Sequence, residues 1–301
     1  MPIQARGEAA YFYAGPFGVI LNGKDIRIIG VPKTVDNDLM GTDHTPGYGS
    51  AAKYVAATMQ EIVRDCAVYT MEAVTIIEVM GRDAGWLTAS SALPRIVGGA
   101  APDYVYMPEV NFDLEEFYKD IAEAFKVKPN LTVAVCEGIR FADGTYVGES
   151  AQSGVRDTFG HKYLAGTAKM LTELVKEKFG CKVRAIDLNV PQRCASHIAS
   201  LTDLEESVQI GRAAVEAAVS GKTGVTMAYI RKSTDPYKIE IGSVDVAKVA
   251  NQVYKVPREF INQRGNNVTD ECLRHILPLI NGEAKVVYNK GIPVHFAIPR
   301  A

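Results

Sequence analysis

Seven residues, Pro32-Lys33-Thr34-Val35-Asp36-Asn37-Asp38, constrain this chain more than any other stretch. They follow a short apolar run, residues 26–31, that reads as a strand. A strand that ends in a proline, a cation and two carboxylates two positions apart is poor packing material. It suits a binding site, because open α/β sheets hold ligands just beyond the carboxyl ends of their strands. Asp36 and Asp38 are close enough to disfavour joint ionisation, so one proton is held more tightly or a cation is recruited. Lys33 beside them is able to hold a phosphate. A base, a metal carboxylate and a cation together point to phosphoryl transfer.

The rest of the chain alternates strand-like and helix-like segments. Tyr54, Val55, Met59, Ile62, Val63 and Cys66 lie at helical spacing within residues 47–66. Residues 73–80 are short, β-branched and mostly apolar, a buried strand that runs into Gly81-Arg82-Asp83. Residues 87–96 and 114–125 read as helices, 131–136 as a buried strand ending at Glu137-Gly138, and 141–160 as a glycine-bearing loop. Helix returns at 161–179 and strand at 183–188. Thr202-Asp203-Leu204-Glu205 has capping-box form and opens a helix to about Val219, closed by Gly221. A strand at 225–230 and a helix near 269–280 complete the pattern. Strands alternating with helices predict parallel α/β sheets.

Size and composition set limits. With 301 residues, 47% of them apolar, the chain has material for about two domains. Its 33 Lys and Arg against 35 Asp and Glu leave a net charge of −2, so no overall basic field draws it to nucleic acid or membrane. Five widely spaced cysteines without a Cys-x-x-Cys fit buried thiols in a reducing, cytoplasmic setting. The apolar run at residues 9–21 contains Gly15, Pro16 and Gly18, has no Ala-x-Ala site after it, and is too short to span a bilayer as a helix.

Polar residues recur at the strand ends: Asp36 and Asp38, then Arg82, then Glu137, with Arg184 and Arg193 flanking the fourth strand and its exit. For any one of them a solvated loop charge is the simpler account. Repeated placement at one sheet edge is not expected of loop charge. A sugar phosphate needs Arg for its phosphate, a carboxylate for its hydroxyls and small residues where backbone approaches. Arg184, Arg193, Glu137 and Gly81 supply those types. His44 and His161 read as loop or core histidines, and Cys136 as core; Met80 could equally be packing.

Pro32-Lys33-Thr34-Val35-Asp36-Asn37-Asp38 with Gly41-Thr42-Asp43, Glu78-Val79-Met80-Gly81-Arg82, Glu137-Gly138, and Arg184 with Pro191-Gln192-Arg193 resemble the phosphofructokinase family, in its order and spacing. The resemblance runs from about Asp25 over nearly the whole chain and is closest to the diphosphate-dependent branch. It implies an α/β fold of two Rossmann-like domains with mainly parallel sheets and the active site in the cleft. On it, residues 1–47 plus about 192–250 form a donor-side domain, and 48–191 plus about 251–301 a sugar-phosphate-side domain. It implies phosphorylation of the 1-hydroxyl of fructose 6-phosphate to fructose 1,6-bisphosphate in glycolysis, by a cytoplasmic, Mg²⁺-using homo-oligomer.

Residue by residue, the resemblance makes Asp36 the base, places Thr34 beside the moving phosphoryl group and puts Asp38 near Mg²⁺. Met80, Gly81, Arg82 and Glu137 contact the sugar, Arg184 its phosphate, and Arg193 the sugar phosphate or the transferring group. Lys33 stands where typical bacterial ATP enzymes of the family carry glycine and diphosphate-dependent members lysine, so diphosphate is the expected donor and ATP the alternative. The family's Gly-Gly-Asp donor loop has no counterpart in residues 1–24, so the chain reads as N-terminally incomplete, its first domain without the opening phosphate-loop portion. Ala73 and Val190 also depart from the ATP-type pattern, which has arginine and histidine there. A non-catalytic remnant that binds sugar phosphate or associates with intact subunits is the rival of another class.

Overall fold

The computed structural model describes residues 19–21, 24–148 and 166–295. His161 and the Gly15-Pro16-Phe17-Gly18 stretch lie outside them. The expected α/β architecture is present, built on two sheets. The first has four strands in the order β5-β6-β4-β7, all parallel: β4 (Ala73–Val79), β5 (Tyr104–Tyr106), β6 (Asn130–Cys136) and β7 (Lys182–Asp187). The second has three, in the order β3-β8-β9: β3 (Ile29–Gly30), β8 (Val225–Thr234) and β9 (Tyr237–Asp245). Short antiparallel pairs, β1 (Val19–Leu21) with β2 (Lys24–Ile26) and β10 (Tyr288–Asn289) with β11 (Ile292–Pro293), lie apart from both.

Every residue of β4 is buried, because helices cover both faces of its sheet. Val74 and Ile76 pack with Phe117 and Ile121 of α3 (Leu114–Phe125) and with Leu171 and Val175 of α4 (Thr167–Phe179). Ile77 and Val79 face the other way, towards Val55 and Met59 of α1 (Tyr48–Cys66) and Trp86 of α2 (Trp86–Ser90). The period of two along the strand thus serves two cores. Trp86 is fully buried, 5.1 Å from the Tyr254 ring and 5.9 Å from His275, and its indole N–H donates to Tyr254 O. On the second sheet, Ile210, Ala214 and Ala217 of α5 (Leu201–Val219) meet Met227 and Tyr229 of β8.

Several boundaries differ from the sequence reading for physical reasons. Residues 26–31 hold the last residue of β2, a break at Arg27 and Ile28, and then β3. The helix expected over 87–96 divides into α2 and a 3₁₀ turn, Leu93–Val97, whose Pro94 cannot donate an α-helical hydrogen bond. The cap of α5 is Ser200, which accepts from Asp203 N, not Thr202. The tail helix is α7 (Asp270–Ile276), capped by Thr269 and followed by a 3₁₀ turn at Leu277–Ile280. Strand β9 was not expected, and it runs antiparallel to β8. Of the cysteines, Cys66, Cys136 and Cys272 are buried, Cys181 is half-buried and Cys194 is exposed. No helix among the described residues is long and apolar enough to cross a membrane.

Helix α1 starts without a capping side chain of its own, at Gly47. Its first amides are satisfied from α5: Asp203 accepts from Gly47 N at 2.8 Å, Ser50 N at 3.0 Å and Ser50 Oγ at 2.5 Å. A buried carboxylate at a helix N-terminus also meets the positive end of the helix dipole. Asp203→Ala is expected to lower the urea unfolding free energy by about 2–3 kcal/mol, since charge-assisted bonds are lost and amides left unpaired. Ser50→Ala should cost less, with an unchanged m-value in both.

Candidate active site

The loop after β3 brings Asp36 and Asp38 against the carboxyl ends of β4, β6 and β7. Thr34 organises it: its hydroxyl accepts from Asp36 N at 3.2 Å, and its carbonyl accepts from Thr45 Oγ1 at 2.7 Å. Asn37, buried between the two aspartates, has φ 55°, so the chain turns there; Asp36 lies among Arg82, Lys33 and Arg193, and Asp38 beside Thr34 and Asp83. Asp38 O accepts from Tyr254 N at 2.7 Å, fastening the loop to the segment that bonds Trp86.

From the other side come the loops after β4 and β6. Gly81 has φ 136°, and a Cβ there would lie 2.5 Å from Ala84 O; a Cβ on Gly138 would lie 1.8 Å from Arg82 O. The two loops pass in contact because neither residue carries a side chain. The contact is tied by Gly81 N–H, which donates to Glu137 Oε1 at 3.1 Å, and by the Cys136 thiol, which donates to Gly81 O at 2.5 Å. Beneath them Glu78 accepts from Ala168 N at 2.8 Å and Gly166 N at 3.3 Å at the start of α4. Asp83 pairs with Arg140, whose guanidinium lies 4.2 Å over the Tyr146 ring.

The electrostatics separate this cluster from ordinary surface charge. Burial, with Asp38 adding to it, pushes Asp36 up to about 6, against the opposing pull of Arg82, Lys33 and Arg193. Glu137 rises to about 7, mainly through burial and with the Asp36 and Glu78 charges contributing. Burial raises Asp38 as well, and Asp83 adds to the effect, while the Thr34 hydroxyl opposes it. Lys33 is exposed at the rim of the cluster.

The structure therefore brings together Lys33, Thr34, Asp36, Asp38, Met80, Gly81, Arg82, Glu137 and Arg193. Arg184 is elsewhere. It is aligned with Thr75, five residues before Met80 on β4, or roughly 16 Å at strand rise. There it donates to Tyr69 Oη at 3.0 Å and lies 3.6 Å from Asp65, near the opposite end of the sheet. Ala73, also at that end, is buried core. His44 is not a free loop residue either: its ring bridges Asp43 at 2.9 Å and Glu206 at 2.7 Å, stacked on Tyr229.

Among the described residues no group of three or more His, Cys, Asp or Glu is placed to hold a metal ion by itself. Mg²⁺ in phosphoryl-transfer sites takes one or two carboxylates and fills its shell with phosphate oxygens and water. Asp38, a half-buried carboxylate whose charge is disfavoured by burial and by Asp83, fits that lesser demand.

Residues 10–218 match the family model described as phosphofructokinase. The chain belongs to the phosphofructokinase family. It is 41% identical over 274 residues to a pyrophosphate–fructose 6-phosphate 1-phosphotransferase of Methylococcus capsulatus, covering 90% of this chain and 64% of that relative. A sulfofructose kinase of Alkalicoccus urumqiensis is 34% identical over 85% of this chain and 65% of its own length. The crystal structure of a pyrophosphate-dependent phosphofructokinase from Nitrosospira multiformis superposes with a TM-score of 0.77 at 34% identity, covering 92% of this chain and 68% of that one. The chain thus spans just under two thirds of the length of the curated relatives it matches.

A raised carboxyl pKa has a consequence for stability. Asp36 titrates near 6 when folded and near 3.8 when unfolded, so above pH 6 the folded state carries a charge that burial disfavours. Lowering the pH through 6 neutralises it first in the folded state and stabilises the chain. Asp36→Asn is therefore expected to raise the melting temperature at pH 8, with the gain shrinking as the pH falls below 6, measured by thermal unfolding across that range.

Proposed function

We propose that this chain carries the base and sugar-side part of a phosphotransferase that moves a phosphoryl group from diphosphate to the 1-hydroxyl of fructose 6-phosphate, yielding fructose 1,6-bisphosphate and phosphate in glycolysis. The observation that carries the reading is Asp36. It is a half-buried carboxylate poised near pH 6, opposed by Arg82, Lys33 and Arg193, at the converging ends of parallel strands. The names of the relatives supply the substrate class.

In this reading ionised Asp36 accepts the proton of the 1-hydroxyl as its oxygen bonds the incoming phosphorus and the bridging P–O bond of diphosphate breaks. Lys33 and Arg193 neutralise the phosphate oxygens, and Thr34 lies beside the group in transit. The backbone of Met80 and Gly81, with Arg82 and Glu137, orients the sugar. Glu137, with a pKa near 7, is able to donate to or accept from a sugar hydroxyl. Asp38 would hold Mg²⁺, which would supply charge neutralisation when bound. The donor-side unit is residues 1–47 with about 192–250, and the sugar-side unit 48–191 with about 251–301. Among the described residues Arg184 lies on an edge strand of the four-stranded sheet, away from this chain's own cluster, so a substrate contact for it calls for a second chain. That requirement agrees with a homo-oligomer.

A coupled assay with diphosphate and fructose 6-phosphate tests the reading. Asp36→Ala should cut turnover about 10²–10⁴-fold. Below pH 6 the wild-type rate should fall about tenfold per unit, because the base becomes protonated. Binding of fructose 6-phosphate without turnover would instead establish the non-catalytic remnant, and preference for sulfofructose would overturn the acceptor. Lys33→Gly should damage diphosphate use far more than ATP use; equal losses would refute the donor assignment.

A further inference from the structure

The main-chain ladder between β4 and β7 ends one bond early. Its last rung is Leu188 N to Glu78 O at 3.1 Å, after which Asn189, with φ 41°, turns the chain away. That turn is tied to itself: Asn189 N and Nδ2 donate to the Asp187 carboxylate at 2.8 and 3.1 Å, and Val190 N donates to Asn189 Oδ1 at 2.7 Å. The next donor on β4, the Met80 N–H, would have met the β7 backbone had the strand continued. Gln192 takes that place. Its side chain is buried, its Oε1 accepts from Met80 N at 3.1 Å, and its Nε2 donates to Asn189 O at 3.1 Å.

We propose that Gln192 is a positioning residue of the site, its amide standing in for the missing rung and so fixing the Met80-Gly81-Arg82 loop relative to the turn that carries Arg193. Arg82 lies two residues beyond the amide that Gln192 holds, and Arg193 is its immediate neighbour in sequence. Both cations act on Asp36. A side chain with one acceptor and one donor is required, because the two backbone groups it joins are a donor and an acceptor. Glutamate would face Asn189 O with a second acceptor, and an apolar residue would leave the Met80 N–H without this partner. The inference deepens the proposed function, resting on it only for what the two arginines bind.

The test is Gln192→Met in the full 301-residue chain, with Gln192→Leu beside it. Hydrogen exchange of the Met80 amide should quicken at least tenfold while the melting temperature falls by only a few degrees. Fructose 6-phosphate binding, read by calorimetry, should weaken about threefold or more, because Arg82 and Arg193 are no longer held relative to one another. Unchanged Met80 exchange or unchanged binding overturns the proposal. Should both variants fail to fold, the wild-type chain decides: a Met80 amide as protected as the β4 ladder supports it, and one exchanging like an open loop overturns it. Failure of the wild type to bind or turn over fructose 6-phosphate would sink the proposed function and leave the exchange result standing on its own.

Discussion

Two carboxylates on successive turns of α5 hold the segment on which the site is built. Asp203 gathers three donors at the start of α1, where the helix provides no cap. Glu206, one turn on, takes His44 Nε2 at 2.7 Å and the Tyr237 hydroxyl at 2.8 Å. His44 in turn meets Asp43, which grips the Arg231 guanidinium through two bonds of 2.9 Å. Thr42 accepts from Tyr229 N, so the same segment is also stitched to β8. Without these attachments the loop bearing Asp36 and Asp38 would have only Thr34, Thr45 and the Tyr254 contact to define it. Buried charge is tolerated here because nearly every member of the network is paired.

Asp36 and Asp43 show how pairing separates scaffold from site. Both are aspartates on one loop and burial pushes both upward. For Asp43 the hydrogen bonds from His44 and Arg231 win, and its carboxyl lies well below the ordinary range. The same bonds to Asp43 and Glu206 keep His44 above its ordinary value despite its burial. For Asp36 no such bonds compensate, the nearby carboxylate of Asp38 adds to the penalty, and the cations act through space without reversing it. A group left between its two protonation states near neutral pH is costly to a fold and useful to proton transfer.

The parts of this arrangement that depend on local pattern were legible in the sequence. The apolar run of β4, buried on both faces, and the twelve residues of α3 announce themselves through periodicity. Strand β9 carries an alternating signal too: Ile239 and Ile241 pack towards the α5 core on either side of Glu240. Its pairing with β8 is antiparallel, unlike the four-stranded sheet, so the alternation of strand and helix does not announce it. The grouping of Asp36, Arg82, Glu137 and Arg193 was readable from strand ends alone. Partnerships such as Gln192 with Met80, 112 positions apart, were not, since no local rule links a side chain to a distant backbone amide. Arg184 shows a related limit: its motif does not reveal that strand register sets it several residues away from this chain's own cluster.

The charge balance at the cluster also bears on the donor. With Asp36 and Asp38 ionised, the approach of a diphosphate brings further negative charge to a pair whose own ionisation is already disfavoured. Arg82, Lys33 and Arg193 offset Asp36 only in part, because its carboxyl still lies above its ordinary value. Lys33 is the exposed member at the rim, on a flexible stem, and a compact ammonium there suits a small multiply charged phosphate better than a bulky nucleotide. A divalent cation arriving with the donor would relieve the remaining repulsion at Asp38. On this accounting the proposed metal and the proposed diphosphate donor would answer one need: the cluster gathers more carboxylate charge than its own cations neutralise at Asp36.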